Sequence, residues 1–120
     1  MKLLIIILNK EENLDELLEG FLEMDIRGAT VINSKGMGSI LTSDIPIFAG
    51  LKDLLQGNRP GNKTILTLVE EDRIPVIVNL FEDVVGKLDQ PGNGIIFTLP
   101  VADVIGLGRN FDSGRIDEES

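Results

Sequence analysis

The sequence predicts an α+β domain in which strands and helices alternate as βαββαβ. That order gives a four-stranded antiparallel sheet with two helices on one face. Three observations predict it. Leu3-Leu4-Ile5-Ile6-Ile7-Leu8 is an unbroken apolar run of strand length. A helical pattern follows it, with Leu14, Leu17, Leu18, Phe21 and Leu22 on one stripe. The same pair then recurs after a shift of 60 residues, which lays Leu14 on Ile74, Leu17 on Ile77, Leu18 on Val78 and Phe21 on Phe81. Glu11 falls on Glu71 and Ile5 on Ile65 in the same shift. A match of strand, acidic turn and helix together points to a duplicated unit.

The first strand, Lys2–Leu8, is β-branched and apolar throughout, as a central strand covered on both sides should be. Six apolar residues are too few for a membrane span or a signal-peptide core, so a soluble, cytoplasmic chain with no membrane insertion is expected. Asn13 is positioned to cap the first helix, and Asp15 and Glu16 lie in its first turn, where the helix dipole favours them. Glu19 and Glu23 turn outward. Gly28 is expected to end the helical region, and Ala29–Ser34 reads as the second strand.

Gly36–Asn62 is a 27-residue connection, where about 4–6 residues are ordinary. It reads as a long loop between strands 2 and 3. Ile45, Phe48, Leu51, Leu54 and Leu55 recur every three or four residues, which predicts a short docking helix over Pro46–Gln56. That helix either covers the protein's own core or oligomer seam, or serves as a partner-binding limb. Ile45, Phe48, Leu51 and Arg59 are the candidate contact residues of the partner-binding loop. Gly57-Asn-Arg-Pro-Gly-Asn breaks the chain before the third strand, Thr64–Val69. Asp72 is the expected cap of the second helix, and Pro75 is tolerable because it lies in the first turn. Ile74, Ile77, Val78, Phe81, Val84 and Val85 form its apolar stripe.

The last unit is Gly92–Gly108. A Gly-Asn-Gly turn feeds the strand Ile95–Leu99, Pro100 stops it, and Gly106-Leu-Gly108 closes the segment. Residues 1–108 therefore make one domain, of the size expected for 120 residues. The polar tail, 109–120, is expected to fray, with Phe111 as its one tether. Both helices lie on one face in the ferredoxin-like βαββαβ arrangement. Strands this apolar cannot leave the other face to water, so association of copies through the sheet is expected.

The chain has 11 basic and 20 acidic residues and a formal charge of −9, which argues against nucleic acid and anionic membrane as partners. It has no cysteine, histidine, tyrosine or tryptophan. Disulfides, thiol catalysis and the commonest general base are thereby excluded. Ser34, Ser39, Thr42, Ser43 and Ser113 have no histidine to activate them, and Lys10, Lys52 and Lys87 fall in turns or on polar faces. Glu11–Glu12 and Glu70–Glu71 read as solvated first-turn acids rather than a catalytic pair. No residue reads as catalytic, and none as a metal ligand. Three Gly-x-Gly elements remain: Gly36-Met-Gly38, Gly92-Asn93-Gly94 and Gly106-Leu-Gly108. Glycine turns at strand ends bring bare backbone N–H groups close to an anion. Gly36, Gly38, Gly92, Asn93 and Gly94 are accordingly the candidate cleft for a small anionic ligand or nucleotide, with Lys35, Arg59, Lys63 and Arg109 as candidate cations.

Two stretches resemble a known family. Gly28-Ala-Thr-Val31 running into Lys35-Gly-Met-Gly38, and Gly92-Asn-Gly-Ile-Ile-Phe97 running into Leu99-Pro-Val-Ala-Asp-Val-Ile105, are similar to the PII nitrogen-regulatory signalling proteins. The resemblance covers about Lys2–Gly108. It implies a homotrimer whose three sheets line a central barrel, sensing of ATP, ADP or 2-oxoglutarate between subunits, and a long loop that docks onto a target protein. The chain departs from the family's pattern in four ways. Ile40 stands where the family has a glutamine, Ile95 where it has a phosphate-binding lysine, and Gly106 and Gly108 where it has two phosphate-binding arginines. The loop also lacks the family's modified tyrosine. Each missing charge-assisted contact is worth about 1.5–3 kcal/mol, so the implied triphosphate contacts are much reduced. Three readings follow: a trimeric regulator acting through Gly36–Asn62, a structural or interaction trimer without a ligand, and, least supported, a small-molecule enzyme.

Overall fold

A computed structural model describes residues 1–44 and 61–106. The strands are β1 (Lys2–Leu8), β2 (Thr30–Ser34), β3 (Asn62–Val69) and β4 (Gly94–Pro100). The helices are α1 (Leu14–Glu23), α2 (Met37–Asp44) and α3 (Ile74–Val84). The four strands form one antiparallel sheet in the order β2-β3-β1-β4, which is the predicted ferredoxin-like sandwich. Central β1 runs beside β3, pairing Ile5 with Leu66, and beside β4, pairing Ile5 with Phe97.

Alternation along each strand divides its side chains between two faces. Leu4, Ile6 and Leu8 of β1 and Ile65 and Val69 of β3 point to the helix layer and are buried. Leu17 and Phe21 of α1 and Ile77 and Phe81 of α3 close on them, so the stripe read from the sequence is the core. The helices approach closely where buried Gly20 meets Leu80: a Cβ on Gly20 would stand 2.6 Å from Leu80 Cδ1. Leu22 is the exception to the stripe. It is 65% exposed, because at about 3.6 residues per turn it stands about 100° round the helix from Phe21 and about 140° from Leu17, on the margin of the stripe.

Both helices are entered differently from the expectation. Neither Asn13 nor Asp72 caps with its side chain. A 3-10 turn precedes each helix instead, Glu11–Asn13 and Glu71–Arg73, again 60 residues apart. Asn13 N–H donates to the Lys10 carbonyl and Arg73 N–H to the Glu70 carbonyl, both at 3.0 Å. The first N–H of each helix follows suit, Leu14 donating to the Glu11 carbonyl and Ile74 to the Glu71 carbonyl, so the entry turns satisfy donors that the helix start leaves without an intrahelical partner.

The end of α1 also lies earlier than Gly28. Asp25 N–H donates to the Leu22 carbonyl at 3.0 Å and Ile26 N–H to the Phe21 carbonyl at 2.8 Å. This is a Schellman closure, with Asp25 rather than glycine in the left-handed position at φ 64°. The chain then runs extended to β2. Buried Thr67 holds that stretch by donating its hydroxyl to the Gly28 carbonyl at 2.6 Å.

The start of the long connection is helical rather than loop. Met37–Asp44 forms α2, with Ile40 N–H donating to the Gly36 carbonyl at 3.1 Å. Gly36-Met-Gly38 is thus the beginning of a helix and not a free glycine turn. The docking helix expected over Pro46–Gln56 and the loop contact residues Ile45, Phe48, Leu51 and Arg59 lie outside the described residues, as does the tail 109–120.

Among the described residues, the second face of the sheet is left partly open. Leu3, Ile5 and Ile7 of β1 share it with Leu66 and Leu68 of β3 and with Ile95, Phe97 and Leu99 of β4. The three β4 residues are about half exposed, and so is Ile32 on β2. Among the described residues, no helix is long and apolar enough to cross a membrane.

Candidate functional site

Antiparallel pairing gathers the candidate residues at one end of the sheet. At that end β1 and β2 finish, at Leu8 and Ser34, and β3 and β4 begin, at Asn62 and Gly94. Leu8 pairs with Lys63 on one side and Gly94 on the other, while Asn33 pairs with Lys63 and Ser34 with Asn62. Gly36, Lys63 and the Gly92–Gly94 turn are thereby brought to one end, as the sequence reading required. Arg109, Arg59 and Gly108 lie outside the described residues.

The glycine turn is tightly built. Gly92 has φ 93° and Gly94 has φ 146°. Gly94 could not carry a side chain, since a Cβ there would collide with the Ile7 carbonyl oxygen and stand 3.2 Å from the Phe81 ring. Asn93 between them is only 4% exposed. Its Nδ2 donates to the Lys87 carbonyl at 2.7 Å, and its own carbonyl accepts the Asn9 N–H at 3.3 Å. The α3–β4 connection is thus closed on itself, helped by Gly86 at φ 140°, where a Cβ would stand 2.7 Å from Asn93 Nδ2. Glu82 completes the closure, its Oε2 accepting the Leu88 N–H at 3.0 Å.

Beside the turn, the stem of the long connection is stitched by polar side chains. The Ser34 hydroxyl donates to Asn62 Oδ1 at 2.5 Å and lies 2.8 Å from the Thr64 hydroxyl. Asn62 Nδ2 donates to Asn9 Oδ1 at 3.3 Å. Lys63 Nζ donates to Asn33 Oδ1 at 2.5 Å and lies 3.7 Å from Glu11 Oε1. Lys63 is three-quarters covered and sits between an acid and an amide. The charge at this end is therefore partly compensated within the chain.

Sequence reasoning did not single out Asn9, Asn33 or Asn62. The available signal was an amide residue at the end of β1, beside the end of β2 and at the start of β3, where a strand has no regular partner to continue with. Ser34, weighed there as a nucleophile, is a hydrogen-bonding link in the stem. Ile95, in the place of a cation, points to the open sheet face beside Ile7. Among the described residues, no three acidic side chains converge in a metal-holding group.

The opposite end of the sheet holds an open concavity of about 1190 Å³, lined by Leu3, Met24, Ile26, Thr30, Leu68 and Arg73 among others. It does not include the glycine turn or the stem. Gly28, Ala29 and Thr30, part of one family-like stretch, belong to its lining.

Comparison with known proteins agrees with the fold. The family model for nitrogen regulatory protein P-II matches residues 1–110. A solved structure of a functionally unknown protein from Pediococcus pentosaceus is similar, with a TM-score of 0.58 at 19% identity, covering 86% of this chain and 93% of that one. No curated protein matches the chain.

Proposed function

The chain belongs to the nitrogen regulatory protein P-II family, and from that membership we propose that it is a cytoplasmic regulatory module. It assembles as a homotrimer and acts on a target protein through the segment 36–62. Members of this family are regulators rather than enzymes, and a chain without histidine or cysteine lacks the commonest general base and a thiol nucleophile. The observation that carries the proposal is the convergence of the glycine turn and the stem of the long segment at one sheet end. A ligand there would touch the element that meets the partner.

The ligand we propose is a small anion or nucleotide, held by Gly36, Gly38, Lys63, Gly92, Asn93, Gly94 and Arg109. Trimer formation through the open sheet face is supported by Ile95, Phe97 and Leu99. Burying side chains of this kind contributes about 1.5–3 kcal/mol each. A thermal-shift series with ATP, ADP, AMP and 2-oxoglutarate at millimolar concentration tests the ligand clause. A concentration-dependent rise in melting temperature with at least one is expected. No rise with any of them refutes that clause.

A second reading keeps the trimer and drops the ligand. It is favoured by the engagement of Lys63 with Glu11 and Asn33, and of the Asn93 amide with the Lys87 carbonyl. On this reading the polar end serves to hold the stem of segment 36–62 in one position. Flat thermal shifts together with a trimeric mass would select it.

A further inference from the structure

One continuous hydrogen-bonded chain crosses the polar end of the sheet, and Asn9 is its middle link. On one side its backbone N–H holds the Asn93 carbonyl at 3.3 Å, and Asn93 in turn holds the Lys87 carbonyl at 2.7 Å. On the other side its side-chain Oδ1 accepts from Asn62 Nδ2 at 3.3 Å, and Asn62 Oδ1 accepts from the Ser34 hydroxyl. The turn is therefore gripped by the backbone of Asn9 and the stem by its side chain.

We propose that Asn9 is a coupling residue, transmitting displacement of the 86–94 turn to the Ser34/Asn62 stem of segment 36–62. The inference rests on the reading of this end as the regulatory end, and it names the contact that would join ligand site to partner limb. The physical argument has two parts. First, the turn has no slack: Asn93 is buried, and Gly86 leaves no room for even a methyl group beside its amide. A shift of the turn must move the Asn93 carbonyl and the Asn9 N–H bonded to it. Second, the stem bonds form a partly buried network in which losing one partner leaves another polar group unsatisfied. A contiguous network of this kind is a physical route by which displacement at one site can reach another.

The two grips of Asn9 can be separated, because Asn9→Ala removes the stem bond and keeps the backbone bond to the turn. The test uses the full chain without ligand. Gly86→Ala displaces the Asn93 amide, and backbone hydrogen exchange is read at Ser34, Asn62 and Lys63, with Val69 at the far end of β3 as control. In the Asn9 background, exchange at the stem amides should speed by roughly threefold to tenfold with Val69 unchanged. In the Asn9→Ala background the same perturbation should leave the stem unaltered. An equal stem response in both backgrounds, no response in either, or a parallel change at Val69 overturns the proposal. If Gly86→Ala does not fold, Asn93→Ser supplies the perturbation by removing the bond to Lys87. Because no ligand is used, a flat thermal-shift series leaves this result standing, and failure here leaves the ligand question unaffected.

Discussion

Single residues set the local shape of the chain in places where composition alone is a poor guide. Asp25 occupies a left-handed position at the end of α1 that glycine usually takes. A side chain in that conformation costs about 1–2 kcal/mol, and the exposed ion pair of Asp25 with Arg27 returns little of it. Asp25→Gly should therefore stabilise the protein by about 0.5–1 kcal/mol in urea unfolding. Gly94 is the opposite case, since its missing Cβ is what lets β4 pass the Ile7 carbonyl. Gly94→Ala should destabilise by at least about 2–3 kcal/mol in the same measurement, or prevent folding. The glycine turn was legible in the sequence, but its inward-facing asparagine was not. Nothing in Gly-Asn-Gly says which of its groups face solvent, and that is decided by the helix end at Gly86 packing over it.

Elements followed the apolar periodicity closely wherever a face is buried. The 60-residue shift that aligned Phe21 with Phe81 also aligns the two 3-10 entry turns, so the repeat extends to the backbone. Asn13 stands at the N-cap position of α1 without a side-chain cap bond, and Asp72 lies inside the preceding 3-10 turn, because a capping residue and a tight-turn residue share the same polar preference. Leu22 is exposed because it lies on the margin of the apolar stripe, which i+3 and i+4 spacing does not separate from its centre. The contrast is measurable: Phe81→Ala should cost about 3–5 kcal/mol, while Leu22→Ala should stay within about 0.5 kcal/mol of the parent. Helix α2 was hidden for a different reason. Gly36, Gly38, Ser39, Thr42 and Ser43 are poor helix formers, and Gly-Met-Gly reads locally as a turn. The stem and the glycine turn nevertheless meet at one sheet end, which the pairing of β1 with β4 and of β2 with β3 brings about.

At the scale of the whole molecule the two faces of the sandwich differ in kind. The helix side carries the charge: Glu11–Glu23 holds six acids and no base, and Glu70–Asp83 holds five acids against Arg73 alone. The sheet side presents apolar side chains from β1, β3 and β4. Like-charged helix layers repel one another, whereas the sheet face is stabilised by leaving water, so copies should meet through the sheet. Association of that origin should persist in high salt, because screening weakens charge contacts and leaves apolar burial intact. Phe97, half exposed near the middle of β4 and opposite Ile5, is the residue whose replacement by aspartate should be least tolerated by the assembly. Phe97→Asp should release monomers that keep their secondary structure, since the side chain contributes nothing to the helix-facing core. The most direct measurement is size-exclusion chromatography with light scattering on the unmodified protein at physiological salt. The account predicts a mass three times the 13.1 kDa of the chain, falling toward the single-chain value with Phe97→Asp. A monodisperse 13.1 kDa species for the unmodified protein at high micromolar concentration would contradict it.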